Sequence, residues 1–232
     1  NGINEDEYHK FAIFAVQPHK QRNVHIIYSG GDDMFIVGAW DDLLELSVDI
    51  REAFRRFTNN KLSFSAGIGI FYSKCPISEM ARGTGLLEST AKDNPGKDSI
   101  AMFGIPSAES HASYTTASYG WEEFVQQVCG EKLTFCQRYL GYAGNEAMDR
   151  LPAGKGVLYR MLNLLNESRD NINLARFAYM LGRMEPPKDS PAYDSYAKVR
   201  EKLYGWYQDK AARKQLMTAL ELIIYRIREK GE

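Results

Sequence analysis

The sequence is poor in cysteine and has no surplus of either charge, and both shortages narrow what it can be. Only Cys75, Cys129 and Cys136 occur. They are odd in number and form no Cys-x-x-Cys pair, which argues against a zinc ribbon and against a disulfide framework. Such usage fits a reducing, cytoplasmic setting. Lys plus Arg number 29 against 30 Asp plus Glu, a formal net charge of -1. No global field therefore marks a nucleic-acid coat or a membrane binder, and any such contact has to be a local patch. No apolar run approaches the roughly 18 residues of a membrane span, and the N-terminus lacks the basic-then-apolar order of a signal peptide. No His-Asp dipeptide occurs anywhere.

What is present is globular: 232 residues with 44% hydrophobic content, enough for one large domain or two ordinary ones. The chain opens on Asn1 and a polar leader to Lys10 without cap or periodicity, so a piece of a longer protein is expected. The short apolar run Lys10 to Val16 reads equally as a strand or as a helix end.

The most informative stretch is Ile26-Ile27-Tyr28-Ser29-Gly30-Gly31-Asp32-Asp33-Met34-Phe35-Ile36-Val37, a glycine turn with two adjacent carboxylates between apolar runs. It reads as a β-hairpin. Gly30 and Gly31 suit a tight turn and let a phosphate approach the backbone, while Asp32 and Asp33 supply hard oxygen ligands of the kind that hold Mg²⁺ or Mn²⁺. Gly-Gly-Asp by itself is ordinary turn chemistry. The almost wholly apolar flanks Val24 to Tyr28 and Met34 to Val37 predict strands that are buried and central, which makes a merely decorative acidic tip harder to sustain.

Downstream, Asp41 or Asp42 is the expected N-cap of an amphipathic helix over 42–58, with Leu43, Leu46, Ile50, Phe54 and Phe57 on its buried stripe. Leu62 to Tyr72 reads as a long strand. Phe64, Ala66, Ile68, Ile70 and Tyr72 share one face; Ser63, Ser65, Gly67 and Gly69 share a bare one that leaves room for a flat ligand or for a packed neighbour. Pro76 opens a second helix to about Asp93, with Ile77, Met80, Ala81, Leu87 and Ala91 buried. Asn94-Pro95-Gly96 stops it, and Asp98 to Phe103 makes a last strand. This order predicts an α+β fold, part of a ferredoxin-like unit with an antiparallel sheet and helices on one face.

From Gly104 to Ser118 the composition turns to Ser, Thr, Ala and Pro, the mark of a linker. The periodicity beyond it predicts an all-α bundle of about four to six helices. Its stripes run through Trp121, Phe124, Val125 and Val128; Leu158, Met161, Leu162 and Leu165; Leu174, Phe177, Ala178 and Leu181; Tyr196, Val199, Leu203 and Tyr207; and Leu216, Leu220, Ile223, Ile224 and Ile227. Between Lys198 and Lys230 nine Lys or Arg face four Asp or Glu, either ordinary solvated helix faces or a strip that meets RNA or an acidic partner.

The hairpin Tyr28-Ser-Gly-Gly-Asp-Asp33, the segment Ser65-Ala-Gly-Ile68, Ala91-Lys92 and Gly96-Lys97 resemble the nucleotide-cyclase palm shared by diguanylate cyclases and the large subunit of type III CRISPR effector complexes. Diguanylate cyclases carry an acidic residue and then Glu-Phe after Gly-Gly, where Asp32-Asp33-Met34 stands here. Their Arg-x-x-Asp motif is replaced by Arg22-Asn23-Val24-His25. A palm followed by a helical domain is the CRISPR arrangement, so the resemblance is to a Csm-type large subunit, with the Cmr type as the nearer alternative. It implies a palm over 1–105, a linker over 106–118 and a C-terminal helical domain over 119–232.

The resemblance further implies synthesis of cyclic oligoadenylates from ATP, with two divalent ions (Mg²⁺ or Mn²⁺) on Asp32 and Asp33 and activation by target RNA. Ser29, Gly30, Gly31, Ser65, Lys92 and Lys97 would line the nucleotide, and the other complex subunits, guide RNA and target RNA would be partners, with no membrane involved. The family's HD nuclease domain, first palm and further metal-ligating carboxylate have no counterpart in the sequence, so the stretch by itself is expected to be close to inactive. Two other readings stay open: a non-catalytic scaffold of the same complex, and a diguanylate-cyclase-like domain that prefers GTP.

Overall fold

The computed structural model describes residues 21–104, 116–140, 151, 153–167 and 171–229. The run Lys10 to Val16, the leader before it and linker residues 106–115 lie outside them. The chain divides into two compact units, Asn1–Phe124 and Val125–Glu232.

The first unit is α+β. Strands β1 (Val24–Gly30) and β2 (Asp33–Gly38) form an antiparallel pair, joined through Gly31 at φ 64°, a left-handed value that glycine adopts without a Cβ clash. The pairing carries a β-bulge: Ile26 stands opposite Ile36, whereas Tyr28 stands opposite Phe35, so Ile27 is the extra residue. Helix α1 (Trp40–Phe57) fastens the root of this hairpin. Its Asp42 carboxylate accepts the Asn23 N–H at 2.8 Å, and Asp49 pairs with Arg22 at 2.5 Å.

A second sheet has the order β3 (Ala66–Ile68), β4 (Ser99–Met102), β5 (Ala117–Gly120). β3 and β4 are parallel, as a crossover through helix α2 (Ile77–Lys92) allows, and β4 and β5 are antiparallel. Leu87 and Ala91 of α2 meet Ala101 of β4 in the core. Trp121 is wholly buried and donates its indole N–H to the Phe64 carbonyl at 2.8 Å while stacking on the Phe64 ring. Arg51 of α1 forks onto Asp98, Nη2 to Oδ2 at 2.7 Å and Nε to Oδ1 at 3.3 Å, and so holds the turn that leads into β4.

Several sequence expectations change here. The sheet is not purely antiparallel, because β3 and β4 run the same way. The hairpin strands are not buried: Ile26 is 65% and Tyr28 56% exposed, since among the described residues the two strands pair only with each other. The long strand over Leu62 to Tyr72 contracts to Ala66–Ile68, as its partner β4 offers only a four-residue strand. The bare face is occupied. A Cβ on Gly67 would stand 2.4 Å from the Glu88 nitrogen and 2.4 Å from the Thr84 oxygen, so the backbone of α2 lies on it.

The first helix has the expected span, but its most buried side runs through Leu44, Val48 and Arg51, and Phe57 is 90% exposed. Asp41 and Asp42 sit inside its first turn, where they favour the helix dipole, and Ala39 occupies the cap. In α2, Leu87 and Ala91 are buried as expected, whereas Ile77 is exposed. β5 takes in Ala117 and Ser118, which composition had assigned to the linker.

The second unit is helical. The segment α3 (Trp121–Glu123) ends the first unit and continues as a π-helix over Phe124–Leu133 before α4 (Thr134–Leu140) resumes the ordinary winding. Then follow α5 (Lys155–Asn166), α6 (Asn171–Gly182), α7 (Tyr193–Gln208) and α8 (Lys210–Glu229). α8 is the central helix: Leu216, Ala219, Leu220, Leu222, Ile223, Ile224 and Ile227 are all buried, more than one stripe can supply. Arg213 at its start donates Nε–H to the Leu165 carbonyl at 2.6 Å and also reaches the Glu167 carbonyl, closing the C-terminus of α5. The stripes of α5 and α7 are buried as expected; in α6 Phe177 and Leu181 are buried but Ala178 is exposed.

Three cations of the basic strip, Arg200, Lys202 and Arg213, are committed within this unit. Arg213 lies over the Tyr207 ring, Arg200 over Tyr196, and Lys202 both pairs with Glu131 at 3.3 Å and lies over Trp206. These contacts favour the ordinary reading of those cations.

Candidate functional site

The aspartate turn stands at the free end of the hairpin, opposite the root that α1 fastens. Gly31 and Asp32 form the turn, and Asp33, the first residue of β2, pairs directly with Gly30. Gly31, Asp32 and Asp33 are exposed and Gly30 is half-buried. Directly opposed residues of an antiparallel pair share a face. Asp33 therefore rises on the side of Gly30, Tyr28 and Phe35, while Ser29 and Met34 occupy the other. The bulge sets this phase, because without it Asp32 would stand opposite Gly30 and Met34 opposite Tyr28.

Lys92, the last residue of α2, lies in the field of this turn. Its ammonium is held above its ordinary pKa, first by a hydrogen bond to Glu88, against some loss from burial, and then by the charges of Glu88, Asp33 and Asp32. The Nζ to Glu88 Oε1 distance is 2.6 Å, an i,i+4 pair at the helix end. The described structure thus brings Asp32, Asp33 and Lys92 into one electrostatic neighbourhood.

Ser65 and Lys97 form a second group. The Ser65 hydroxyl donates to the Lys97 carbonyl at 3.0 Å, so it is engaged in fixing the turn rather than free to meet a ribose. Lys97 itself has φ 61° directly after Gly96 at φ 82°, and it is exposed. Ser29, on the far face from Asp33, shares the hairpin tip but not its carboxylate side.

Whether a divalent ion fits can be judged from the donors. Two adjacent, solvated carboxylates suit Mg²⁺ or Mn²⁺, whose remaining positions are filled by water and phosphate oxygens. Among the described residues no group of three or more His, Cys, Asp or Glu could enclose a metal, so the pair by itself would offer an ion only an open, partial set of ligands. Sequence reasoning missed three features: the bulge at Ile27, the Arg51–Asp98 fork, and the Glu88–Lys92 pair, which the i,i+4 spacing could have revealed. Among the described residues no helix is long and apolar enough to cross a membrane.

Residues 6–101 match the family model of the Cas10/Cmr2 second palm domain, and residues 147–229 match that of the second helical domain of the CRISPR RNA silencing complex Cmr2 subunit. Three relatives carry the name CRISPR system single-strand-specific deoxyribonuclease Cas10/Csm1 (subtype III-A). The protein of Mycobacterium tuberculosis is 42% identical over 94% of this chain and 24% of its own length. That of Enterococcus italicus is 36% identical over 90% of this chain and 24% of its own, and that of Streptococcus thermophilus 36% over 94% and 27%. The chain spans about a quarter of the length of these relatives. With its α+β half matched as a palm, its helical half matched as the domain that follows, and its relatives named Csm1, the chain belongs to the Cas10/Cmr2 family as a stretch of a Csm-type large subunit.

Proposed function

We propose that this palm converts ATP into cyclic oligoadenylates by two-metal nucleotidyl transfer, within a type III CRISPR complex that has bound target RNA. The observation that carries the reading is the exposed Asp32–Asp33 turn with Lys92 in its field. In the reaction a ribose hydroxyl oxygen bonds to the α-phosphorus of a second ATP, the bond to pyrophosphate breaks, and the hydroxyl proton leaves to solvent. Divalent ions, when bound, neutralise charge on the phosphates and lower the pKa of the attacking hydroxyl.

The chain's own residues divide the remaining work. Asp32 and Asp33 hold the ions, and Gly30 and Gly31 let the phosphates approach the turn. Ser29 borders the same tip. Lys92 and Lys97 bring positive charge toward the triphosphate, and Ser65 supports this indirectly by holding the Lys97 turn. This reading requires a further carboxylate beside Asp32 and Asp33, which the described residues do not supply. The other subunits, guide RNA and target RNA are the partners this reading requires.

The test is reconstitution of the full complex with target RNA, ATP and Mg²⁺, comparing wild type with Asp32→Ala plus Asp33→Ala. Loss of cyclic product to background is expected, and undiminished product would refute the assignment. Comparing ATP with GTP in the same assay separates this reading from a diguanylate cyclase.

A further inference from the structure

Tyr28 has no assigned part in the chemistry above, yet the hairpin is built to aim it. The bulge at Ile27 shifts the register by one residue and puts Tyr28 on the same face as Gly30 and Asp33. Its ring lies across Gly30: a Cβ there would stand 2.9 Å from the Tyr28 hydroxyl oxygen, 3.1 Å from Cζ and 3.5 Å from Cε2. Gly30 does not have a positive φ, so what the position needs is the absence of a side chain under the ring. The residue is nevertheless 56% exposed. An aromatic ring is thus laid against the backbone at the aspartate turn with much of its surface open to solvent.

We propose that Tyr28 is a nucleotide-binding residue of this site, its open ring face stacking with the base of the nucleotide whose phosphates sit at Asp33. The inference rests on the nucleotidyl-transfer reading. Two residues along a strand span about 7 Å, and the ring covers that interval from Tyr28 to Gly30, the residue paired with Asp33, so a base stacked on it lies within a ribose's reach of the carboxylate. Stacking is tolerant of which base is presented, because every base has a π face. Tyr28 therefore contributes affinity at the hairpin, while the choice of ATP over GTP is made by other contacts.

The experiment uses the full complex with target RNA and Mg²⁺, and follows cyclic product against ATP concentration for wild type, Tyr28→Leu, Tyr28→Phe and the Asp32→Ala plus Asp33→Ala control. Tyr28→Leu is expected to raise KM for ATP roughly tenfold, the scale of one lost base stack, with the loss falling on KM more than on kcat. Tyr28→Phe, which keeps the ring, restores most of it. Site-resolved nitration read by mass spectrometry gives a second measure on the unmodified protein, since ATP with Mn²⁺ should slow nitration of Tyr28. A wild-type KM in Tyr28→Leu, or equal nitration with and without nucleotide, overturns the role of Tyr28 alone if the aspartate control has lost product. Product surviving in that control overturns the nucleotidyl-transfer reading and Tyr28 with it.

Discussion

Replacing Gly67 with Ala tests the packing that fixes α2 on the sheet. The new Cβ would lie 2.4 Å from the Glu88 nitrogen, 2.4 Å from the Thr84 oxygen and 2.9 Å from the Leu87 carbonyl carbon, all backbone atoms of α2. No rotamer change relieves a backbone contact, so the helix has to retreat by about 1 Å to reach ordinary van der Waals distance. Overpacking of this kind costs about 1–3 kcal/mol. For a unit of this size that is a fall of about 4–12 °C in Tm. Gly85, exposed on the same helix, has no atom within 4 Å of the corresponding position. There the identical substitution should gain about 1 kcal/mol through helix propensity and raise Tm by about 4 °C. Differential scanning calorimetry of the two variants decides the matter. Shifts of the same sign, or a Gly67→Ala Tm within about 2 °C of wild type, would refute the close approach of α2.

The remaining predictions concern the helical unit. Burial pushes the Glu221 carboxyl from 4.5 up to about 8. Between those values the folded state keeps a proton that the unfolded state has lost, so stability is highest at the acid end and falls as pH rises through the window, by about 1.4 kcal/mol per unit at most. Urea unfolding of wild type and Glu221→Gln across that range should show the decline in wild type and a flatter profile in the variant; parallel profiles would refute it. Arg213→Lys should destabilise this unit by about 2–3 kcal/mol, because an ammonium cannot reproduce the fork onto the Leu165 and Glu167 carbonyls together with the stack on Tyr207. A denaturation midpoint equal to wild type would show that the fork contributes nothing.

Periodicity read the helical unit well because its helices bury one side against neighbours, as Tyr196, Val199, Leu203 and Tyr207 do on α7. It described α8 less completely, since that helix is covered nearly all round and a single stripe understates it. In the first unit the turn Gly30 to Asp33 was legible from composition, whereas the register of its strands was not. Ile26-Ile27-Tyr28 are three apolar residues in a row and satisfy either phase equally, so nothing in them marks Ile27 as the bulge. Over Leu62 to Tyr72 the alternation was real, but a strand extends only as far as its partner, a length that β4 sets. Asp42 was recognised as belonging to a helix start; that its carboxylate is directed to the Asn23 amide depends on a tertiary approach that no local pattern encodes.

Lys97 holds a left-handed backbone conformation in a turn that already contains Asn94, Pro95 and Gly96. For a residue with a Cβ that conformation costs about 1 kcal/mol relative to glycine. Selection for folding alone would therefore drift toward glycine at this position, and a stability-led redesign would make the same exchange and strip the cation from the turn. Across related palms, lysine or glycine at this one position becomes a marker that separates turns kept for their charge from turns kept only for their shape.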